Sequence, residues 1–102
     1  MESSKVDAAV AAFEAALVAE PQMLEAQNAI GQIHHKAGRY LQAIEAFETA
    51  LQISSGALPV RINLALSHSA HGDTIAARAA WKLVQALDPS HRLARHWLQR
   101  LQ

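Results

Sequence analysis

The 102-residue sequence contains no cysteine, and aromatic residues make up only 5% of it. The lack of cysteine excludes a disulfide framework, a cysteine-based zinc site and a thiol nucleophile. No apolar run approaches the roughly 18 residues that a membrane-spanning helix needs, so we expect no membrane partner. The acidic Glu2 and the lack of a long apolar segment near the N-terminus argue against a signal peptide and favour a cytoplasmic location.

Apolar residues nonetheless make up 51% of the chain, and most of them are alanine and leucine. Alanine is the strongest helix former, and its small side chain lets neighbouring helices approach closely. No segment shows the alternation of apolar and polar residues that is typical of strands. The composition therefore predicts an all-α fold, and a chain of this length is expected to form a single domain.

The net charge is zero, but the charges are unevenly divided along the chain. Residues 1–55 carry seven acidic and three basic side chains, whereas residues 56–102 carry two acidic and six basic ones. Ordinary solvated helix faces explain such a division. Head-to-tail association of copies and an acidic partner at the C-terminal half are the alternatives that the sequence leaves open.

Apolar residues recur every three to four positions, and prolines and glycines interrupt this pattern at short intervals. The pattern predicts six helices at about residues 5–19, 21–37, 40–53, 59–71, 74–87 and 89–102. We expect Ser3–Ser4 and Asp73 to cap helices, and Pro21 and Pro89 to begin them. Gly38 should end the second helix in the left-handed conformation. The short connections predict that neighbouring helices are antiparallel.

The sequence also matches itself at a shift of 34 residues. The segment AFEAAL at 12–17 corresponds to AFETAL at 46–51, and Gly38 corresponds to Gly72. A period of this size is typical of stacked helical repeats, because a single short helix pair cannot bury its apolar face alone. The aromatic residues Phe13, Phe47 and Trp81 recur at one repeat position, so we expect them to fill equivalent pockets.

This pattern resembles the tetratricopeptide repeat, whose motif combines Leu-Gly, Gly-x-Tyr, Ala, Phe, Ala and Pro over 34 residues. The repeat that starts at Leu24 matches the motif at Ile30, Gly31, Gly38, Tyr40, Ala43, Phe47 and Ala50. The resemblance implies a right-handed superhelix of stacked antiparallel helix pairs. It divides the chain into a half repeat at 1–21, repeats at 22–55 and 56–89, and a C-terminal capping helix at 90–102.

Members of this family usually bind a peptide or protein segment in a concave groove that the first helix of each pair lines. The resemblance implies that this groove is lined by Asn28, Gln32, His35, Ile62, Asn63, Leu66, His96 and Arg100, with Trp97 beside them. Amide side chains pair with a peptide backbone, and an arginine binds a carboxylate with two parallel hydrogen bonds. The alternative interpretation is a solvated helix face, with Ile62, Leu66 and Trp97 packed against neighbouring helices.

One subclass of the family binds the acidic C-terminal tail of chaperones with two asparagines and three basic side chains. Among the corresponding positions of this chain only Asn63 matches, and the others hold Asn28, Gln32, Leu93 and Trp97. We therefore predict that the chain does not bind such a tail.

No residues resemble a nucleophile with its base, a phosphate-binding glycine loop or paired catalytic carboxylates, so we predict no enzymatic activity and no cofactor. His68 and His71 have the spacing of two metal ligands, but no acidic third ligand accompanies them, and we expect no metal. The basic residues are too few, and too separate from aromatic ones, to predict a nucleic-acid partner.

Three functions remain open. The first is a module that binds a protein or peptide partner in the groove. The second is a homo-oligomer formed through the unpaired N-terminal helix, with parts of Val6 and Val10 exposed. The third is an accessory part of a larger protein.

Overall fold

The computed structural model describes residues 2–101 and contains six α-helices within that stretch, with no strand. The helices are α1 (Glu2–Ala19), α2 (Leu24–Lys36), α3 (Tyr40–Ile53), α4 (Leu58–His71), α5 (Thr74–Leu87) and α6 (Arg92–Arg100). Each helix packs against the next one along the chain, and α2 also contacts α4. The predicted all-α fold of stacked antiparallel helices is confirmed.

Two prolines were expected to begin helices, and this prediction is wrong. Pro21 and Pro89 each occupy the second position of a four-residue turn, which the fixed φ of proline favours. The bonds that close these turns run from the Met23 N–H to the Glu20 carbonyl at 3.2 Å and from the His91 N–H to the Asp88 carbonyl at 3.0 Å. As a result α2 begins at Leu24 and α6 begins at Arg92, each three residues after its proline.

Of the helix ends predicted at Asp73, Gly38 and Ser3–Ser4, the first two are confirmed and the third is the exception. The Asp73 carboxylate accepts the Ala76 N–H at 3.1 Å and caps α5, as predicted. Gly38 follows α2 with a φ of +78°, which is the left-handed conformation expected there. The exception is α1, which begins at Glu2, so that Ser3–Ser4 lie inside its first turn and do not cap it.

The apolar core consists of three clusters that follow one another along the stack. The first joins α1, α2 and α3 and contains Val10, Ile30 and Ala46. The second joins α3 and α4 and contains Ala43, Phe47, Ala50 and Val60. The third joins α4, α5 and α6 and contains Ala65, Ala77, Ala80, Trp81, Val84 and Ala94. Val10 was expected to be partly exposed, but it is buried because Ile30 and Ala46 pack against it.

The three aromatic residues at the shared repeat position differ in burial. Phe47 is 1% exposed and Trp81 is fully buried, whereas Phe13 is 36% exposed. The ring of Phe47 lies on Gly31, and Trp81 packs in one cluster with Ala65. Gly31 and Ala65 belong to the helix that precedes each aromatic residue, and α1 is the first helix of the described chain. The prediction of equivalent pockets therefore holds for two of the three residues and is wrong for Phe13.

Candidate functional site

A cavity of about 410 Å³ opens where α2 and α4 lie side by side. Its lining includes four residues of the predicted groove: Gln32, His35, Asn63 and Leu66. The remaining lining residues are Phe13, Ala29, Ile33, Lys36 and Phe47. Apolar side chains make up one part of the lining, which we call the floor of the cavity: Phe13, Ala29, Ile33, Phe47 and Leu66. Amide, imidazole and ammonium groups make up the rest. This arrangement suits a ligand that has both apolar and hydrogen-bonding groups.

Two amide side chains connect α2 to α4 beside this cavity. The Nδ2 group of Asn63 donates to Oδ1 of Asn28 at 3.0 Å, and both side chains are half-buried. The bond uses one of the two N–H groups of Asn63 and leaves its carbonyl oxygen and second N–H. An extended peptide backbone presents the complementary donor and acceptor. The predicted pair Asn28 and Asn63 is thus brought together, with Asn63 in the lining.

A second polar contact fixes the orientation of His35. Its Nδ1 atom lies 2.9 Å from the hydroxyl oxygen of Ser67, which is fully buried on α4. The ring of Tyr40 meets the imidazole edge-to-face, with 5.2 Å between the ring centres. The sequence analysis missed Ser67 as a partner of His35, and the only signal was a serine directly after the apolar run at 64–66.

The apolar residues of the predicted groove pack against the third core cluster, which joins α4, α5 and α6 and which we call the C-terminal cluster. Ile62, Leu66 and Trp97 all contact it, and Trp97 stacks on Trp81 with 6.2 Å between the ring centres and 7° between the planes. For Trp97 this arrangement favours a packing role. Leu66 contacts the same cluster and also lines the cavity.

The remaining two predicted residues lie on α6, outside the cavity lining. His96 and Arg100 are both exposed, and His96 meets the edge of Trp97 at 5.9 Å between ring centres. The predicted set is therefore split into a group around α2 and α4 and a basic group on α6.

Two histidines at equivalent repeat positions lie apart from the groove. The Nδ1 atoms of His34 and His68 are buried and have no hydrogen-bond partner among residues 2–101. Burial lowers the pKa of His34 below its usual 6.5, and the nearby Arg39 adds to this effect. Three carboxylates oppose the shift in pKa: Asp7, Glu14 and Glu45.

Neither a metal-binding cluster nor a membrane-spanning helix occurs among residues 2–101. No group of three His, Cys, Asp or Glu side chains within residues 2–101 is placed to hold a metal ion. In the same stretch, every helix is too short or too polar to cross a bilayer.

The fold is similar to several solved structures. The TPR domain of Arabidopsis OM64 has a TM-score of 0.85 and 14% identity, covering 98% of this chain and 83% of that one. The second TPR domain of human RPAP3, in complex with an HSP70 peptide, has a TM-score of 0.84 and 14% identity, with 97% and 82% covered. The Yersinia enterocolitica type III secretion chaperone SycD, in complex with a peptide of the translocator YopD, has a TM-score of 0.85 and 17% identity, with 97% and 81% covered.

Comparison of the sequence with family profiles agrees with the structural similarity, whereas no curated protein matches the sequence significantly. Two family profiles described as tetratricopeptide repeat match residues 1–57 and 34–101. Each match spans more than half of the chain, and the two together span nearly all of it. The chain therefore belongs to the tetratricopeptide repeat family.

Proposed function

We propose that this chain is a non-catalytic module that binds an extended peptide or protein segment in the groove formed by α2, α4 and α6. The observation that carries the proposal is the cavity of about 410 Å³, with an apolar floor and polar side chains of Gln32, His35 and Asn63 around it. Such a cavity is the usual form of a binding site. The peptide complexes of human RPAP3 and of SycD support this use of the fold.

The lining favours a particular kind of peptide. An apolar side chain of the peptide fits over Leu66, while the peptide backbone pairs with the amides of Gln32 and Asn63. The basic side chains of α6 then favour an acidic residue toward that end of the peptide, because opposite charges attract across a partly desolvated surface.

A chaperone tail remains the specific ligand that we predict the groove does not bind. The peptide bound by the human RPAP3 domain ends in Glu-Glu-Val-Asp. Of the residues that hold such a tail in the family subclass, only Asn63 is present here. Saturation by a peptide with this ending at micromolar concentration would contradict the prediction.

The groove is tested with a peptide selected from a random displayed library against the full chain. The selected peptide is labelled, and its dissociation constant is measured by fluorescence anisotropy. Gln32→Ala should weaken binding by about two- to tenfold, which corresponds to one lost hydrogen bond. Gln52→Ala is the matched control, because Gln52 is also an exposed glutamine but lies on α3 outside the cavity lining.

A second variant probes the floor of the cavity. Leu66→Ala should weaken binding further, because an apolar contact is lost together with the surface that Leu66 buries on complex formation. The melting temperature is measured beside each affinity, since Leu66 also packs against the C-terminal cluster. Unchanged affinity in both Gln32→Ala and Leu66→Ala would overturn the groove as the binding site.

A further inference from the structure

The helix α1 has an apolar side that the other helices of the described chain cover only in part. Ala9, Phe13 and Ala16 hold the same repeat positions as two sets of residues in α3 and α5. Those sets are Ala43, Phe47 and Ala50, and Ala77, Trp81 and Val84, and each of the six is at most 1% exposed. Phe13 is 36% exposed, and Ala9 and Ala16 are half-buried. In the interior of the stack, the preceding helix packs against the equivalent residues of α3 and α5. On this side of α1 the corresponding space is open among the described residues.

The part of α2 that borders this open space is apolar as well. A cavity of about 470 Å³ lies between α1 and α2, and the 410 Å³ cavity between α2 and α4 reaches the same region at Phe13; Ile33 and Lys36 line both. Ala29 and Ile33 hold the repeat positions of Asn63 and Ser67, whose side chains bond to α2 in the interior of the stack. The open space therefore favours an apolar helix, without the polar contacts that connect α2 to α4. We call it the N-terminal face: Ala9, Phe13 and Ala16 of α1 with Ala29 and Ile33 of α2.

A head-to-tail contact with α6 of another copy does not fit the N-terminal face. The residue of α6 that corresponds to Gly31 and Ala65 is Gln99. This position holds a glycine against Phe47 and an alanine against Trp81, and a Cβ added at Gly31 already overlaps the Phe47 ring, so a glutamine has no room against an aromatic ring here. The exposed Arg92 of α6 would also face the alanines of α1 and lose its hydration without a partner.

A second copy of α1 does fit. The line along this side of α1 contains Lys5, Ala9, Ala12, Phe13 and Ala16, of which Ala9 and Ala16 are half-buried, and it continues to the exposed Glu20 directly after the helix. These positions are symmetric about the point between residues 12 and 13, which lies near the middle of the helix. In an antiparallel pair, the ring of Phe13 therefore meets Ala12 of the other copy, and Ala9 meets Ala16. Ala12 opposite the ring takes the role of Ala65, which packs in one cluster with Trp81 inside the stack.

The charges at the two ends of this line agree with the same pairing. Lys5 and Glu20 are both exposed, and the antiparallel arrangement places each of them opposite the other type in the second copy. Twofold symmetry forms this ion pair twice. We propose that α1 pairs antiparallel with α1 of a second copy of this chain, so that a symmetric dimer covers the N-terminal face.

The dimer and the peptide groove are separate proposals. The dimer covers Phe13, Ala29 and Ile33 at one end of the 410 Å³ cavity, whereas the peptide proposal uses Gln32 of α2 with Asn63 and Leu66 of α4. A groove variant such as Gln32→Ala should change peptide affinity and leave the mass unchanged. A variant of the N-terminal face should change the mass. Failure of one proposal is therefore distinguishable from failure of the other.

The mass of the full chain in solution is the first test, by light scattering after size exclusion and by sedimentation equilibrium over a range of concentrations. We expect a species of twice 11.1 kDa that dissociates on dilution. An 11.1 kDa species at every concentration overturns the proposal. Masses that grow beyond the dimer with concentration overturn it as well, because they indicate the open head-to-tail contact.

Variants then locate the interface. Phe13→Glu should abolish the dimer, because it places a charge in the apolar contact. Val18→Glu is the matched control on the same helix, since Val18 is 85% exposed and lies off the symmetric line. Circular dichroism confirms that both variants keep their helices. A dimer that survives Phe13→Glu, or that Val18→Glu disrupts equally, contradicts the assignment.

Charge reversal tests the orientation of the two helices. Lys5→Glu and Glu20→Lys should each raise the dimer dissociation constant by roughly tenfold, since each turns two attractive pairs into repulsive ones. The double variant Lys5→Glu with Glu20→Lys should restore the wild-type constant. A parallel pair, or contact through another surface, gives no such rescue and overturns the antiparallel arrangement.

Discussion

The ring of Phe47 lies directly on Gly31, so closely that a Cβ atom added at residue 31 would lie 2.3 Å from Cε1 of the ring. This contact brings α2 and α3 together at the centre of the stack. A glycine inside a helix costs about 1 kcal/mol relative to alanine, so the contact has to offset that loss. The ring of Phe47 occupies the space that a side chain at residue 31 would fill.

Gly31→Ala should lower the free energy of unfolding by about 1–3 kcal/mol, because overpacking a buried contact outweighs the gain in helix propensity. Urea denaturation followed by circular dichroism measures the change. Gly56→Ala is the matched control, since no atom lies within 4 Å of a Cβ added there. Equal stability of wild type and Gly31→Ala would contradict the packing argument.

Trp81→Phe should destabilise the protein by about 1–3 kcal/mol, because it leaves space in the core and removes a hydrogen-bond donor. The Nε1–H group of Trp81 donates to the Ser69 hydroxyl at 2.9 Å, and the residue is fully buried. Trp97→Phe provides the comparison, since Trp97 stacks on the same ring but is only half-buried. We expect the smaller loss for Trp97→Phe in the same urea measurement, and the reverse order would contradict this ranking.

The lowered pKa of His34 predicts that stability falls on mild acidification. Since the pKa in the folded chain lies below 6.5, the unfolded chain takes up the proton first as the pH decreases. The stability that is present above about pH 6.5 is therefore lost as the pH falls toward the folded-state pKa. His34→Phe should reduce this loss, as measured by urea midpoints between about pH 5 and 7.

The matched control for the acid effect is His71→Phe, because His71 is exposed on α4. We expect this variant to keep the pH dependence of the wild type. If His34→Phe loses as much stability as the wild type over the same pH range, burial of His34 is not the cause.

Asp73→Ala should cost about 1 kcal/mol of stability, because α5 loses the carboxylate that accepts the Ala76 N–H. Asp73→Asn keeps a side-chain oxygen at the same place and should retain most of the stability. Thermal unfolding of the three proteins measures the difference. An Asp73→Asn variant as unstable as Asp73→Ala would show that the cap does not act through this hydrogen bond.

The sequence alone determined the features that depend on neighbouring residues. The bounds of α3 and α5, the cap at Asp73 and the left-handed Gly38 all agree with the structure, because propensity, capping and turn chemistry act within a few positions. The 34-residue period also predicted the stacked helices, because a repeat of this length can be read from the sequence without any knowledge of the contacts. Pro21 and Pro89 show the limit of such rules, since a proline is compatible with both a helix start and the turn before it.

Only the tertiary structure decided which equivalent residues are buried and which polar groups meet. Phe13 and Phe47 are the same residue at the same repeat position, yet Phe13 is 36% exposed and Phe47 is 1% exposed. The bond between Asn28 and Asn63 joins residues 35 positions apart, and Ser67 meets His35 across 32 positions. Burial and partnership depend on what the rest of the chain places nearby, and local sequence does not contain that information.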